Sequence, residues 1–154
     1  MAEQLVVYDS VFGNTAKVAE AIGEALGGAI VKKVDTVTQA DMEGLKILFV
    51  GSPTRAFRPT PGTMNFLKGL KKDALKGVKA AAFDTRIDID KTDSGFLRTM
   101  VKLFGYAAKK IVKQLSKAGA DMALESEGFA VTDSEGPLAE GELERAKAWA
   151  TGIS

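Results

Sequence analysis

The sequence predicts an α/β fold in which a parallel sheet is covered by helices on both faces. Three observations carry that reading. Short apolar runs alternate with amphipathic stretches five times along 154 residues, and such alternation joins parallel strands through helical crossovers. Hydrophobic residues make up 45% of the chain, enough for a soluble globule with a real core. No internal repeat, low-complexity tract or linker interrupts the pattern, so one domain over residues 1–154 is expected.

Leu5-Val6-Val7-Tyr8 reads as a short buried strand. A polar turn follows, and Val18, Ile22, Ala25 and Leu26 then repeat at helical spacing until Gly27-Gly28 ends the helix. Ala29 to Val34 reads as a second strand and Thr38 to Glu43 as a short helix. Lys46 to Val50 is the clearest strand, broken by Gly51-Ser52-Pro53-Thr54. Thr60-Pro61 is a cap followed by proline at the first helical position, and Met64, Leu67 and Leu70 form the apolar stripe of that helix. Val78 to Phe83 is a fourth strand. Asp84 to Gly105 is an irregular connection of about twenty residues, long enough to expect a short helix on Phe96, Met100 and Leu103. Ala108, Ile111, Val112 and Leu115 mark another helix, closed by Ala118-Gly119. Ala120 to Val131 holds a fifth strand, with a polar interruption at Glu125 to Gly128, and Leu143, Ala146 and Ala150 mark the last helix.

Cysteine and histidine are absent. This excludes disulfides, thiolate catalysis, iron–sulfur ligation and the usual zinc sites, and removes the commonest general base. Redox work would therefore need a bound organic cofactor, and no catalytic or metal-ligating residue is assigned. A net charge of +1 is too balanced to make nucleic acid or a membrane surface the main partner. The lysines Lys109, Lys110, Lys113 and Lys117 read as the solvated face of an amphipathic helix. The acidic run Glu135 to Glu144 reads as the start of a helix favoured by its dipole. No apolar run spans a bilayer and Met-Ala-Glu-Gln carries no secretory pattern, so a cytoplasmic location is expected.

Ligands of open parallel sheets bind beyond the carboxyl ends of the strands. The loops there are Ser10 to Thr15, Ser52 to Thr60, Asp84 onward and Ser126 onward. In the first, Ser10, Asn14 and Thr15 supply neutral donors, Gly13 permits close backbone approach, and the following helix N-terminus favours an anion. No lysine or arginine lies between Ser10 and Ala16, so a phosphate here would be held without a cation. The same residues also suit a plain helix cap.

Asp9-Ser10-Val11-Phe12-Gly13-Asn14-Thr15, between a first strand and a helix, resembles the phosphate loop of flavodoxins. Gly51-Ser52-Pro53-Thr54 at the end of strand 3 resembles the family's second flavin loop, and Asp84-Thr85-Arg86 falls where the third begins. The resemblance covers essentially the whole chain. It implies a flavodoxin-like three-layer α/β/α domain with a five-stranded parallel sheet of order 2-1-3-4-5 and FMN, bound non-covalently, at the switch between strands 1 and 3. By that resemblance Ser10, Val11, Phe12, Gly13, Asn14 and Thr15 would surround the phosphate. Ser52, Pro53, Thr54, Arg55 and Ala56 would run along the N5 side of the ring, and Asp84, Thr85 and Arg86 would reach its pyrimidine edge.

Several features depart from the family pattern. Many flavodoxins sandwich the ring between a tryptophan and a tyrosine. Here the second loop offers only Phe57, with Phe96, Phe104 and Tyr106 as further stacking candidates, while Trp149 in the last helix reads as a packing residue. Flavodoxins are typically acidic around the flavin, whereas Arg55, Arg58 and Arg86 fall in loops near the ring. Nearby cations attract the anionic reduced ring, so it would be less destabilised than in acidic family members, and Arg86→Ala is expected to lower the potential. Pro53 to Ala56 contains no glycine for a peptide flip at N5, which implies weak stabilisation of the half-reduced ring.

The resemblance implies a low-molecular-weight electron carrier, a monomer whose donor and acceptor proteins dock at the flavin edge, the arginines suiting acidic faces. The alternative is an NAD(P)H-dependent quinone or flavin reductase, in which those arginines would grip a nucleotide phosphate. Both use the same fold and cofactor. A signalling receiver domain is disfavoured, because strand 3 ends Val50-Gly51-Ser52-Pro53 without a carboxylate and Asp9 alone builds no metal pocket.

Overall fold

A computed structural model describes residues 3–55, 57–87, 95, 105–133 and 135–153. Six parallel strands form one sheet: β1 (Gln4–Tyr8), β2 (Ile30–Lys33), β3 (Ile47–Pro53), β4 (Lys79–Ile87), β5 (Asp121–Met122) and β6 (Glu127–Val131). The order is β2-β1-β3-β4-β5, with β6 also paired to β4. Among the described residues the longer helical segments are α1 (Asn14–Ala25), α2 (Gln39–Met42), α3 (Pro61–Lys68) and α4 (Ala107–Lys117), which lie between strands, and α5 (Glu142–Ala150), which follows β6.

Strand periodicity divides the core into two layers. Leu5, Val7, Leu48, Val50, Ala80 and Ala82 face α3 and α4, where Leu67, Ile111 and Leu115 cover them. Val6, Phe49, Ala81 and Phe83 point the other way, onto Val18 and Ile22 of α1 and Ala146 and Ala150 of α5. Successive strand residues alternate between the faces, so the result is the expected three-layer α/β/α arrangement. The order reverses at β1 and β3, and the crevice at their carboxyl ends is where this topology takes ligands.

Three boundaries differ from the sequence reading. Strand β3 does not stop at Val50: Gly51, Ser52 and Pro53 pair in register with Phe83, Asp84 and Thr85. Strand β4 likewise continues through Asp84-Thr85-Arg86 to Ile87, because β6 supplies a partner from Phe83↔Glu127 to Ile87↔Val131. The fifth strand is two pieces, β5 and β6, both on the same edge of β4. The loop beyond that edge therefore follows Val131 and not Glu125. The short helix expected on Phe96, Met100 and Leu103 lies outside the described residues.

Trp149 is half-buried and packs edge-on to Phe49 and Phe129, at centroid separations of 5.4 and 5.9 Å. Its indole N–H donates to the Glu125 carbonyl at 3.1 Å, so it is a packing residue as the sequence implied. Among the described residues, no helix is long and apolar enough to cross a membrane.

Candidate functional site

The turn after β1 is built by short polar side chains acting on their own backbone. Asp9 accepts the Ser10 N–H at 2.9 Å through one oxygen and the Thr60 hydroxyl at 2.5 Å through the other. This ties the turn to the start of α3. Ser10 Oγ accepts the Gly13 N–H at 3.0 Å. Gly13 is the N-cap residue of α1 with φ +91°, a left-handed conformation that side chains disfavour. No side chain caps α1, so the plain-cap reading of this motif does not hold. The first-turn N–H groups have no partner within the helix, and they open beside Asn14 and Thr15, which line a cavity of about 330 Å³.

The two threonines that meet below the cavity are buried. Thr15 Oγ1 and Thr85 Oγ1 lie 2.8 Å apart, joining α1 to β4. Asn14 Nδ2 donates to the Glu135 carbonyl at 3.0 Å, which fastens the loop after β6 to the same turn.

The loop after β3 is held from inside. Ser52 is fully buried, accepts the Thr60 N–H at 3.0 Å and donates to the Pro53 carbonyl at 2.8 Å. Thr54 N–H reaches the Thr85 carbonyl at 2.9 Å. Arg55 and Arg58 then pair backbone to backbone across a tight turn, with Phe57 at φ +67°. The exposed Arg55 guanidinium lies 5.6 Å from the centroid of the Phe12 ring at the cavity mouth.

Asp84 and Arg86 form a bidentate ion pair, with both contacts at 2.6 Å. Asp84 is completely buried and also accepts the Ala108 N–H at 2.9 Å. The guanidinium sits 3.6 Å over the Tyr106 ring centroid and against Gly128, where a Cβ would come within 2.1 Å of it. Arg86 is thus held in a slot, its charge matched by a buried carboxylate. Burial raises the Asp84 pKa above the ordinary aspartate value although Arg86 opposes the shift. The folded state therefore binds the Asp84 proton more tightly than the unfolded chain. That contribution to stability is complete below the ordinary value and is lost as pH rises through the raised one. Urea titrations across this window are expected to show stability of the native protein falling with pH relative to Asp84→Asn, which lacks the ionisation. A flat difference would refute it.

The family model for flavodoxin matches residues 6–149. This chain belongs to the flavodoxin family. Among curated proteins no sequence matches. Among solved structures, oxidised flavodoxin 2 from Bacillus cereus superposes with a TM-score of 0.77 at 20% identity, covering 99% of this chain and 97% of that one. Oxidised flavodoxin 1 from the same organism gives 0.74 at 18% identity, with 97% and 95% covered. Rubredoxin oxygen:oxidoreductase from Desulfovibrio gigas gives 0.70 at 18% identity. There 97% of this chain covers 34% of a longer one.

In this flavodoxin-family chain the cavity brings together Ser10, Val11, Phe12, Asn14 and Thr15 from the first loop, Pro53, Thr54 and Arg55 from the second, and Thr85 and Arg86 from β4. Gly13, Ser52, Phe57 and Asp84 do not line it. Gly13 shapes the turn, while Ser52 and Asp84 support the walls from within. Ala56 lies outside the described residues, as do the stacking candidates Phe96 and Phe104. Of the other two candidates, Phe57 is away from the cavity and the Tyr106 ring carries the Arg86 guanidinium. Phe12 is the aromatic side chain that lines it among the described residues. Ile87, Val131 and Glu135 also line it. Sequence reasoning missed them because it ended β4 too early and put the last loop at Ser126. Arg86, expected from sequence as a cation in a loop near the ring, lies in β4 and is paired with Asp84. Arg55 is the arginine at this cavity for which the described residues provide no carboxylate partner.

Proposed function

We propose that this chain binds FMN in the cavity at the carboxyl ends of β1, β3 and β4 and carries electrons between two proteins. The observation that carries the proposal is an uncapped helix N-terminus opening, beside neutral hydroxyl and amide donors, into a cavity at the topological switch point. The donor set fits a phosphate ester. The first-turn N–H groups of α1 with Ser10, Asn14 and Thr15 would hold it, and Val11, Phe12 and Gly13 would shape the backbone around it. Pro53, Thr54 and Arg55, with Ala56 and Phe57 beyond them, would border the N5 side of the ring. Thr85 and Arg86 would meet its pyrimidine edge, with Asp84 keeping Arg86 in place.

Bound FMN would supply one- and two-electron chemistry that the side chains of this chain lack. The first-loop donors would position the group, and Thr15 and Thr85, hydrogen-bonded to each other, would form part of the cavity wall against it. The working unit is a single domain, acting as a cytoplasmic monomer with a donor and an acceptor protein.

The reductase alternative draws on the exposed Arg55 at the cavity mouth, where it could meet a nucleotide phosphate. Isothermal calorimetry with FMN tests the shared premise: uptake at micromolar concentration or tighter is expected, and no heat would remove it. Stopped-flow mixing of the FMN-loaded protein with NADPH separates the two readings. A carrier leaves the flavin absorbance unchanged for seconds, whereas rapid bleaching by NADPH alone would establish the reductase.

A further inference from the structure

Next to the FMN cavity lies a second concavity of about 570 Å³ between α3 and α4. The two share Arg55. Its other charged lining residues are Arg58, Lys68, Lys110 and Lys113, with Met64 among the apolar ones, and no carboxylate among the described residues lines it. Lys110 Nζ donates to the Phe57 carbonyl at 2.9 Å, which ties α4 to the arginine turn. Burial, and secondarily the neighbouring Arg58 and Lys109, lower the Lys110 pKa.

The patch extends beyond the groove. Residues 54–72 and 105–120 together hold nine lysines and arginines and no aspartate or glutamate. The chain carries a net charge of +1, so the remainder carries eight net negative charges. The helix face read from sequence as a solvated lysine run thus contributes Lys110 and Lys113 to a cationic groove. Arg58, Lys68, Lys71, Lys113 and Lys117 are exposed. Among the described residues, none of these five forms an ion pair.

We propose that the α3/α4 groove is the docking surface for an acidic protein partner, steering it to the mouth of the FMN cavity. The cations are spread over two helices and a turn, which suits a row of surface carboxylates. A single phosphate would want them converging on one point. The exposed apolar side chains Val11, Phe12 and Ile87 rim the adjoining cavity, and apolar contact flanked by complementary charge is the usual composition of a transient interface. From the proposed function this inference takes only that a partner must approach the cavity.

The experiment is an NMR titration of the ¹⁵N-labelled full chain, a binding readout that needs no flavin chemistry. The probe is the soluble domain of an acidic b-type cytochrome; a basic c-type cytochrome is the control. The acidic probe is expected to shift amides of α3, α4 and the 55–58 turn, with affinity falling steeply between about 50 and about 200 mM salt. The triple variant Arg58→Glu, Lys68→Glu, Lys113→Glu, all exposed positions, is expected to weaken binding about tenfold or more while FMN uptake stays unchanged. Unaltered binding by the variant, or equal shifts with the basic cytochrome, would overturn the proposal. So would displacement of the acidic probe by 2′-phospho-AMP or a short DNA duplex at lower concentration, which would assign the groove to a nucleotide or to nucleic acid.

Discussion

Replacing Arg86 with methionine is expected to destabilise the protein by at most about 3–5 kcal/mol, the range for removing one partner of a buried ion pair, because Asp84 is buried while the Arg86 side chain keeps 24% of its surface exposed. The reason lies in what is left behind. Asp84 has no exposure to water and, among the described residues, would keep the Ala108 N–H as its partner. The carboxylate would escape by taking up a proton, so the loss should be smaller at pH 5 than at pH 8. Removing both charges, as Asp84→Asn with Arg86→Met, should recover a large part of the stability, because the desolvation cost disappears together with the attraction. Urea unfolding of the two single variants and the double variant at both pH values measures this. Strict additivity of the single losses would show that the pair is not coupled. Gly128 belongs to the same unit: its missing side chain makes room for the guanidinium.

Riboflavin, which is FMN without its phosphate, is expected to bind about 10²- to 10⁴-fold more weakly than FMN. Hydrogen bonds to a charged group contribute about 1.5–3 kcal/mol each, and two such bonds give that ratio through the affinity relation. The donors would be the N–H groups of the first turn of α1 and the hydroxyl groups beside them. Because no lysine or arginine belongs to this loop, the preference should persist at high salt better than one built on surface charge would. Parallel calorimetric titrations with the two ligands check it. Equal affinities would mean that the phosphate is not read by the α1 turn.

The framework of the fold was legible because it rests on periodicity. Residues Ile47 to Val50 form a run buried from both faces, and Val18 with Ile22 repeat at helical spacing, so both elements could be placed without knowing their neighbours. The turn between β1 and α1 was legible as well, since a run of small polar residues before a helix is a local pattern. What was hidden depends on partners distant in sequence. Asp84, Thr85 and Arg86 look like loop residues, yet they are strand residues, made tolerable in the interior by one another, by Thr15 and by the Ala108 N–H. Residues 123–126 interrupt the last strand, which no hydrophobic count separates from a single longer strand. Arg86 could be read as a cation from its type, but only the fold reveals that its charge is balanced.

The opening turn of α4 receives its caps from far away in the chain: Ala107 donates to the Thr54 hydroxyl at 3.1 Å and Ala108 to the Asp84 carboxylate at 2.9 Å. The place where this helix starts is therefore tied to the sheet, so a change at Thr54 or Asp84 would be felt in its first turn.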